Sequence, residues 1–156
     1  MADDLTAPLD AWLARALRAL DAGALRGVLR EAAAVARRRN QARMARQVAP
    51  DGQPWEPRRP QRDRTGAIRR RVAMMRGLRR SRRLRIMPAG DAVEVGWRGR
   101  DAAIAAVHHH GRIDSVDRAG KVQHEYPARP LLGLPPDDIA AIRSTLIEHL
   151  SRRLDA

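Results

Sequence analysis

Residues 83–97 read RLRIMPAGDAVEVGW, and this stretch decides the fold class. Leu84 and Ile86 alternate with arginines, Pro88-Ala89-Gly90-Asp91 form a turn, and Val93, Val95 and Trp97 alternate with Glu94 and Gly96. Apolar residues at every second position on both sides of a turn make a β-hairpin with one apolar face. The other periodic segments read as helix, so the hairpin makes the layout α+β. The expected order is a helical N-terminal half with a long basic helix, a small antiparallel β-sheet and a C-terminal helix, with an extended proline-rich arm between the first two.

Upstream, Leu9, Trp12, Leu13, Ala16, Leu17 and Leu20 recur at three- and four-residue steps, which places them on one helical face. Thr6 caps this first helix, Pro8 sits in its first turn and Gly23 ends it. A second helix is expected over residues 24–48, roughly 35 Å long at about 1.5 Å per residue. Its apolar stripe is Leu25, Val28, Leu29, Ala32, Val35 and Ala36, then Met44 and Val48, and its second half holds Arg37, Arg38, Arg39, Arg43 and Arg46. Residues 50–66, PDGQPWEPRRPQRDRTG, carry four prolines and an isolated Trp55, a density that excludes helix and central strand.

Downstream of the arm a short basic helix is expected over 67–80, with Ile68, Val72, Met75 and Leu78 on one side. Beyond the hairpin, Asp101 caps the Ala-rich segment AAIAAVHHH, which Gly111 closes. Residues 112–125 show no periodicity and read as a loop. Asp137 begins an amphipathic helix with Ile139, Ile142, Leu146 and Leu150 in register, and Asp137 and Asp138 suit the positive end of its dipole. The chain therefore divides into a helical part (1–49), an arm (50–66) and an α+β part (67–156), together one structural domain with an arm.

Charge and composition narrow the function. Lys and Arg total 31 against 18 Asp and Glu, a formal net charge of +13, and Lys121 is the one lysine. The arginine bias and abundant alanine read as the imprint of GC-rich coding. Between Arg37 and Arg85 there are 18 arginines and three acids, so this block holds more than the whole net charge. It points to an anionic partner: nucleic acid, or an acidic protein surface. Arg37, Arg38, Arg39, Arg69, Arg70, Arg71, Arg79 and Arg80 are the candidate contacts. No RNA-recognition aromatics, zinc finger or helix-turn-helix pattern accompanies them, so DNA contact would be to the backbone.

With no Phe, one Tyr and three Trp, the core must be built of Leu, Ile, Val, Met and Ala, and is thin for the length. Part of the apolar surface is then expected to be buried against neighbouring subunits. Absence of cysteine excludes disulfides, thiolate metal sites and a cysteine nucleophile. The acidic N-terminus and the lack of any run near 18 apolar residues predict a soluble protein, cytoplasmic when made, without membrane contact.

His108, His109 and His110, with His124 nearby, invite a metal reading, and a metal-dependent enzyme is the most distant alternative. A metal site needs three or four convergent ligands, and no further ligand has a recognisable spacing. Asp114 and Glu125 have no spacing that marks an acid/base pair, and no phosphate loop, nucleophile elbow or HExxH motif is present. No catalytic residue, metal or cofactor is expected. Trp55 in the arm should dock into a groove, either of its own core or of the next subunit.

PDGQPWEPRR at 50–59, VEVGWRGRDAAIAAVHHHG at 93–111, YPARPLLGL at 126–134 and the opening MADDLTAPLDAWLARAL together resemble the phage virion morphogenesis family, the S-type tail completion proteins of contractile-tailed phages. The resemblance covers nearly the whole chain through the order and spacing of these stretches. It implies a non-enzymatic structural protein at the head-proximal end of the tail, needed for head-tail joining. It also implies a ring, most simply of six subunits, and partners in the tail tube or tail terminator and the head connector. Residues 107–111 and Tyr126-Pro127-Ala128-Arg129-Pro130 fall on the family's best-marked positions. Pro135 stands where a Ser or Thr cap is expected. Trp55, Arg58, Arg59, Trp97, His108, His110, Tyr126 and Arg129 are the candidate subunit or tail contacts, with the arm and the hairpin forming the ring. The alternative is a sequence-independent DNA-binding protein that uses the basic block 37–85.

Overall fold

A computed structural model describes residues 21–58, 73–115 and 119–154, and these form an α+β structure. The elements in order are α1 (Ala22–Arg46), β1 (Arg85–Ala89), β2 (Ala92–Gly96), α2 (Gly99–His110), β3 (Ile113–Ser115), β4 (Gln123–Glu125) and α3 (Pro136–Leu154). The expected first helix, with its stripe from Leu9 to Leu20, lies outside the described residues.

Helix α1 starts where the Asp21 carboxylate accepts the Ala24 N–H at 2.6 Å. It ends at Gln47, whose left-handed backbone (φ 60°) returns its N–H to the carbonyls of Arg43 and Met44. Its buried residues are Ala24, Val28, Ala32, Ala33, Ala36, Asn40, Arg43 and Met44. Against it runs α3. Asp138, at the start of α3, pairs with Arg39 and Arg43, while His149, near its end, meets Glu31, so the two helices are antiparallel.

The decisive hairpin forms with a shorter turn than the one read, because Pro88 and Ala89 pair within β1 instead of turning. Strands β1 and β2 pair antiparallel with Ile86 opposite Val95 and Ala89 opposite Ala92. This leaves Gly90-Asp91 as a two-residue loop with Gly90 at φ 64°, the glycine-first arrangement that suits strand twist. Leu84 is fully buried just before it. Met87 lies on the arginine side of the pleat and is nevertheless buried, with its methyl over Gly96 and its sulfur meeting the Arg98 guanidinium.

Three expectations are corrected. Asp101 does not cap α2, which starts at Gly99 behind Arg98 without a side-chain cap; it lies in the first turn and pairs with Arg83. The described part of the 67–80 segment is a run of turns, not a helix. Gln47 takes both the N–H and the carbonyl of Met74, Met75 turns left-handed at φ 58°, and Gln41 takes the Arg79 carbonyl. Side-chain amides thus occupy groups a helix would need for itself. The 112–125 loop contains a second hairpin, β3 with β4, pairing Asp114 with His124. Its strands are three residues long and largely exposed, so they carry no alternation to read.

The core is thin, as composition implied. Among the described residues 13 hydrophobic side chains are buried and six of them are alanine. Met44, Ala49, Trp55, Leu78, Ala105 and Leu131 form the main cluster, flanked by Met74, Met75, Trp97 and Ile104.

Candidate functional site

Three surfaces and clusters surround α1. The first is a polar clasp between α1 and the start of α3. Asp138 is fully buried and accepts from Arg43 Nη1 and Nη2 at 2.9 and 2.6 Å, a bidentate pair, and also from Arg39 Nε. Asn40 accepts from Arg43 and from the Gly133 N–H, and donates to the carbonyls of Gly133 and Ala36. Burial alone would raise the Asp138 carboxyl, but hydrogen bonds from Arg43 and Arg39 outweigh it and hold the group below the usual carboxylate range. Gly133 is required because Pro50 lies where a Cβ would stand, at 2.5 Å.

The second cluster joins the arm to the YPARPLLGL string. Trp55 is 5% exposed and belongs to the chain's own core, its Nε1 donating to the Pro130 carbonyl at 3.1 Å. Of the two dockings open to Trp55, the structure shows the internal one. Arg129 is buried, its Nε donating to the Glu56 carbonyl and its backbone N–H to the His108 carbonyl. The Leu131 N–H donates to His109 Nδ1 at 3.1 Å, which requires an unprotonated nitrogen there. Burial, reinforced by Arg129, lowers the His108 pKa, and burial followed by His110 lowers that of His109. His108 and His124 each meet the Tyr126 ring edge-on. Helix α2 ends at Gly111, at φ 67°, where a Cβ would stand 2.8 Å from the Ala128 nitrogen. Among the described residues no group of three or more His, Cys, Asp or Glu is placed to hold a metal ion.

The third is the arginine surface. Arg38 and Arg80 are exposed and Arg37 and Arg79 half-buried, while Arg39 turns toward Asp138 and spends its charge inside the chain. Arg69, Arg70, Arg71 and Arg59 lie outside the described residues. Trp97 donates to the Leu78 carbonyl and is half-buried, His110 is exposed at the end of α2, and Arg58 is exposed within the arm. The structure thus gathers His108, Tyr126 and Arg129, and leaves Trp97 apart at the hairpin.

Exposed apolar side chains stand on other elements. On α3, Ile139 is 54% and Ile147 58% exposed, two turns apart on one face, and Ile113 on β3 is 62% exposed. A shallow cleft beside the clasp is lined by Arg46, Pro50, Asp51, Pro135 and Asp137. Sequence reasoning missed Asn40, Arg43, Gly133 and Asp138 as a unit. The one available signal was Asn40, a lone amide inside the buried stripe of α1.

The whole-chain pattern decides the family. The model of the phage virion morphogenesis family matches residues 4–151. The chain belongs to the phage virion morphogenesis family. Tail completion protein S of Escherichia phage P2 is 35% identical over 118 residues, covering 74% of this chain and 77% of that protein. No solved structure matches the chain. Within this morphogenesis family member, the described helices include none long and apolar enough to cross a membrane.

Proposed function

We propose that this chain is a non-enzymatic structural protein of a phage particle that completes the tail at its head-proximal end, as a ring of subunits required before a filled head joins. The observation that carries this reading is the 35% identity to tail completion protein S over most of both chains. The physical character of the subunit agrees with it. A core rich in alanine leaves little internal stabilisation, and large apolar residues remain exposed on α3 and on the β3–β4 hairpin. Two different exposed patches suit a head-to-tail contact, the kind that closes into a ring when its rotation closes. Six subunits would match tail symmetry. The partners in this reading are further copies of the chain, the tail tube or terminator, and the head connector. The chain works in the neck of the virion after assembly in the host cytoplasm, without a cofactor.

The test supplies the protein, or its variants, to a phage lacking its own tail completion protein and counts head-joined particles. The intact chain should restore joining, and Ile139→Asp with Ile113→Asp should abolish it while leaving the subunit folded. Light scattering at two salt concentrations should give a discrete hexamer-sized mass, alone or on purified tails. Normal joining by the double variant, or a monomer that tails never recruit, would sink the ring.

A further inference from the structure

Helix α1 carries its arginines on two opposed arcs. Successive residues turn by about 100°, so Arg39 and Arg43 share the arc facing α3, while Arg37, Arg38 and Gln41 lie on the far side. Gln41 Nε2 donates to the Arg79 carbonyl at 2.6 Å and to Ser81 Oγ at 3.1 Å, which pins the turn segment 79–82 along that far arc. Two separate stretches of chain thereby deliver Arg37, Arg38, Arg79, Arg80 and Arg82 to one surface. None of these five forms an ion pair among the described residues. Beside them Arg83 is already matched, by Asp101 at 2.9 Å.

We propose that this arginine face is a docking surface for the phosphate backbone of duplex DNA, bound without regard to sequence. An acidic protein surface is the competing partner for the same charge, and the composition of the face argues against it. Stable protein contacts form around a fully buried core enriched in aromatic and apolar side chains. The exposed large hydrophobics among the described residues are Leu25, Ile113, Val122, Leu134, Ile139 and Ile147, and none belongs to the arginine face. DNA interfaces are polar, wet and strongly positive, and need no such centre. Arginine presents planar forks that match phosphate oxygens. The face offers no Asn or Gln free to read a base edge, because Gln41 is spent on holding the turn segment. DNA binding by the face does not depend on the tail assignment and is measured apart from it.

The test is fluorescence anisotropy of a random-sequence duplex of about 30 base pairs with the full chain, between about 50 and 200 mM salt. A chain of net charge +13 attracts any polyanion, so position must be separated from total charge. The face variant carries Arg38→Ala, Arg79→Ala, Arg80→Ala and Arg82→Ala. The control removes the same charge elsewhere, with Arg46→Ala, Arg112→Ala, Arg143→Ala and Arg153→Ala, all exposed and off the far arc of α1. The face variant should lose roughly tenfold or more in affinity at low salt. Its slope of log K against log salt should shrink by about three to four, near 0.9 for each lost phosphate contact. The control should keep the slope to within about one. If alanine at the four face positions unfolds the chain, glutamine there keeps much of the stem and tests the charge alone. No binding by the intact chain at low salt, equal losses in both variants, or equal competition by polyglutamate of matched charge would overturn the proposal.

Discussion

Replacing Asp138 with asparagine keeps the shape of the side chain and removes the one carboxylate that two arginines share. Arg43 would then keep its guanidinium in the protein interior with no counter-charge, since the acid that neutralises it is fully buried in the same clasp. Arg39 is different. Its side chain is 42% exposed, so water takes over most of its lost pairing, and its share is small. Breaking one side of a buried pair costs about 3–5 kcal/mol. For a chain of this size that lowers the melting temperature by between about 6 and 20 °C. The assay is thermal or denaturant unfolding of Asp138→Asn beside the parent, with a second comparison of Arg43→Met with Asp138→Leu. The double apolar change should recover much of the loss, because it removes both charges from the interior together. The pH dependence follows the same pair. The folded carboxyl lies below its unfolded value of 3.8, so its contribution is present above that pH and is lost as pH falls through the lower folded value. A cost under about 1 kcal/mol for Asp138→Asn, or a double variant no better than the single one, would refute the clasp as the tie between α1 and α3.

Gly111→Ala should cost well over about 2 kcal/mol, because it adds a clash with Ala128 to a left-handed backbone, whereas Gly90→Ala, with open space around it, should cost about 1–2 kcal/mol. Chemical denaturation of the pair separates strain from collision, and equal costs would remove the collision. Trp55→Ala should destabilise by about 3–5 kcal/mol, and Trp55→Phe should remove little more than the Pro130 hydrogen bond, about 1 kcal/mol. A folded, fully stable Trp55→Ala chain that fails at assembly alone would return this residue to the subunit interface. His109 has a folded pKa below its ordinary 6.5, so stability should be complete above that value and fall as pH drops through the lower folded one. Melts between pH 5 and 7.5 should show that slope and lose part of it in His109→Gln.

The features legible in the sequence are those whose signal is local. The β1–β2 hairpin declared itself through alternation and a glycine at the turn, and α2 through its stop at Gly111. Helices α1 and α3 followed from periodicity, to within about two residues at either end. The clasp was not legible, because Asp138 and Arg43 are 95 residues apart and no nearby pattern selects one arginine among 18. Asp138 read instead as a dipole partner, which is what an acid in a first helical turn usually is. Segment 73–80 misled for a related reason. Its apolar spacing is helical, but Gln41 and Gln47 on α1 claim its backbone, and side-chain amides at a distance leave no periodic trace. The β3–β4 hairpin has too few residues per strand for a period to show.

The alanines of α1 have a mechanical consequence. Ala32 and Ala36 lie between the positions that meet the two ends of α3, and methyl groups make that seam smooth. Large side chains interlock and fix how far one helix sits along another; methyls resist sliding weakly. One slip by a helical turn would move α3 about 5.4 Å. The same slip would pull Asp138 out of the fork of Arg43 and Gly133 away from Asn40. The clasp therefore fixes the register of the two helices, and it sets where along α1 the outward isoleucines of α3 are presented.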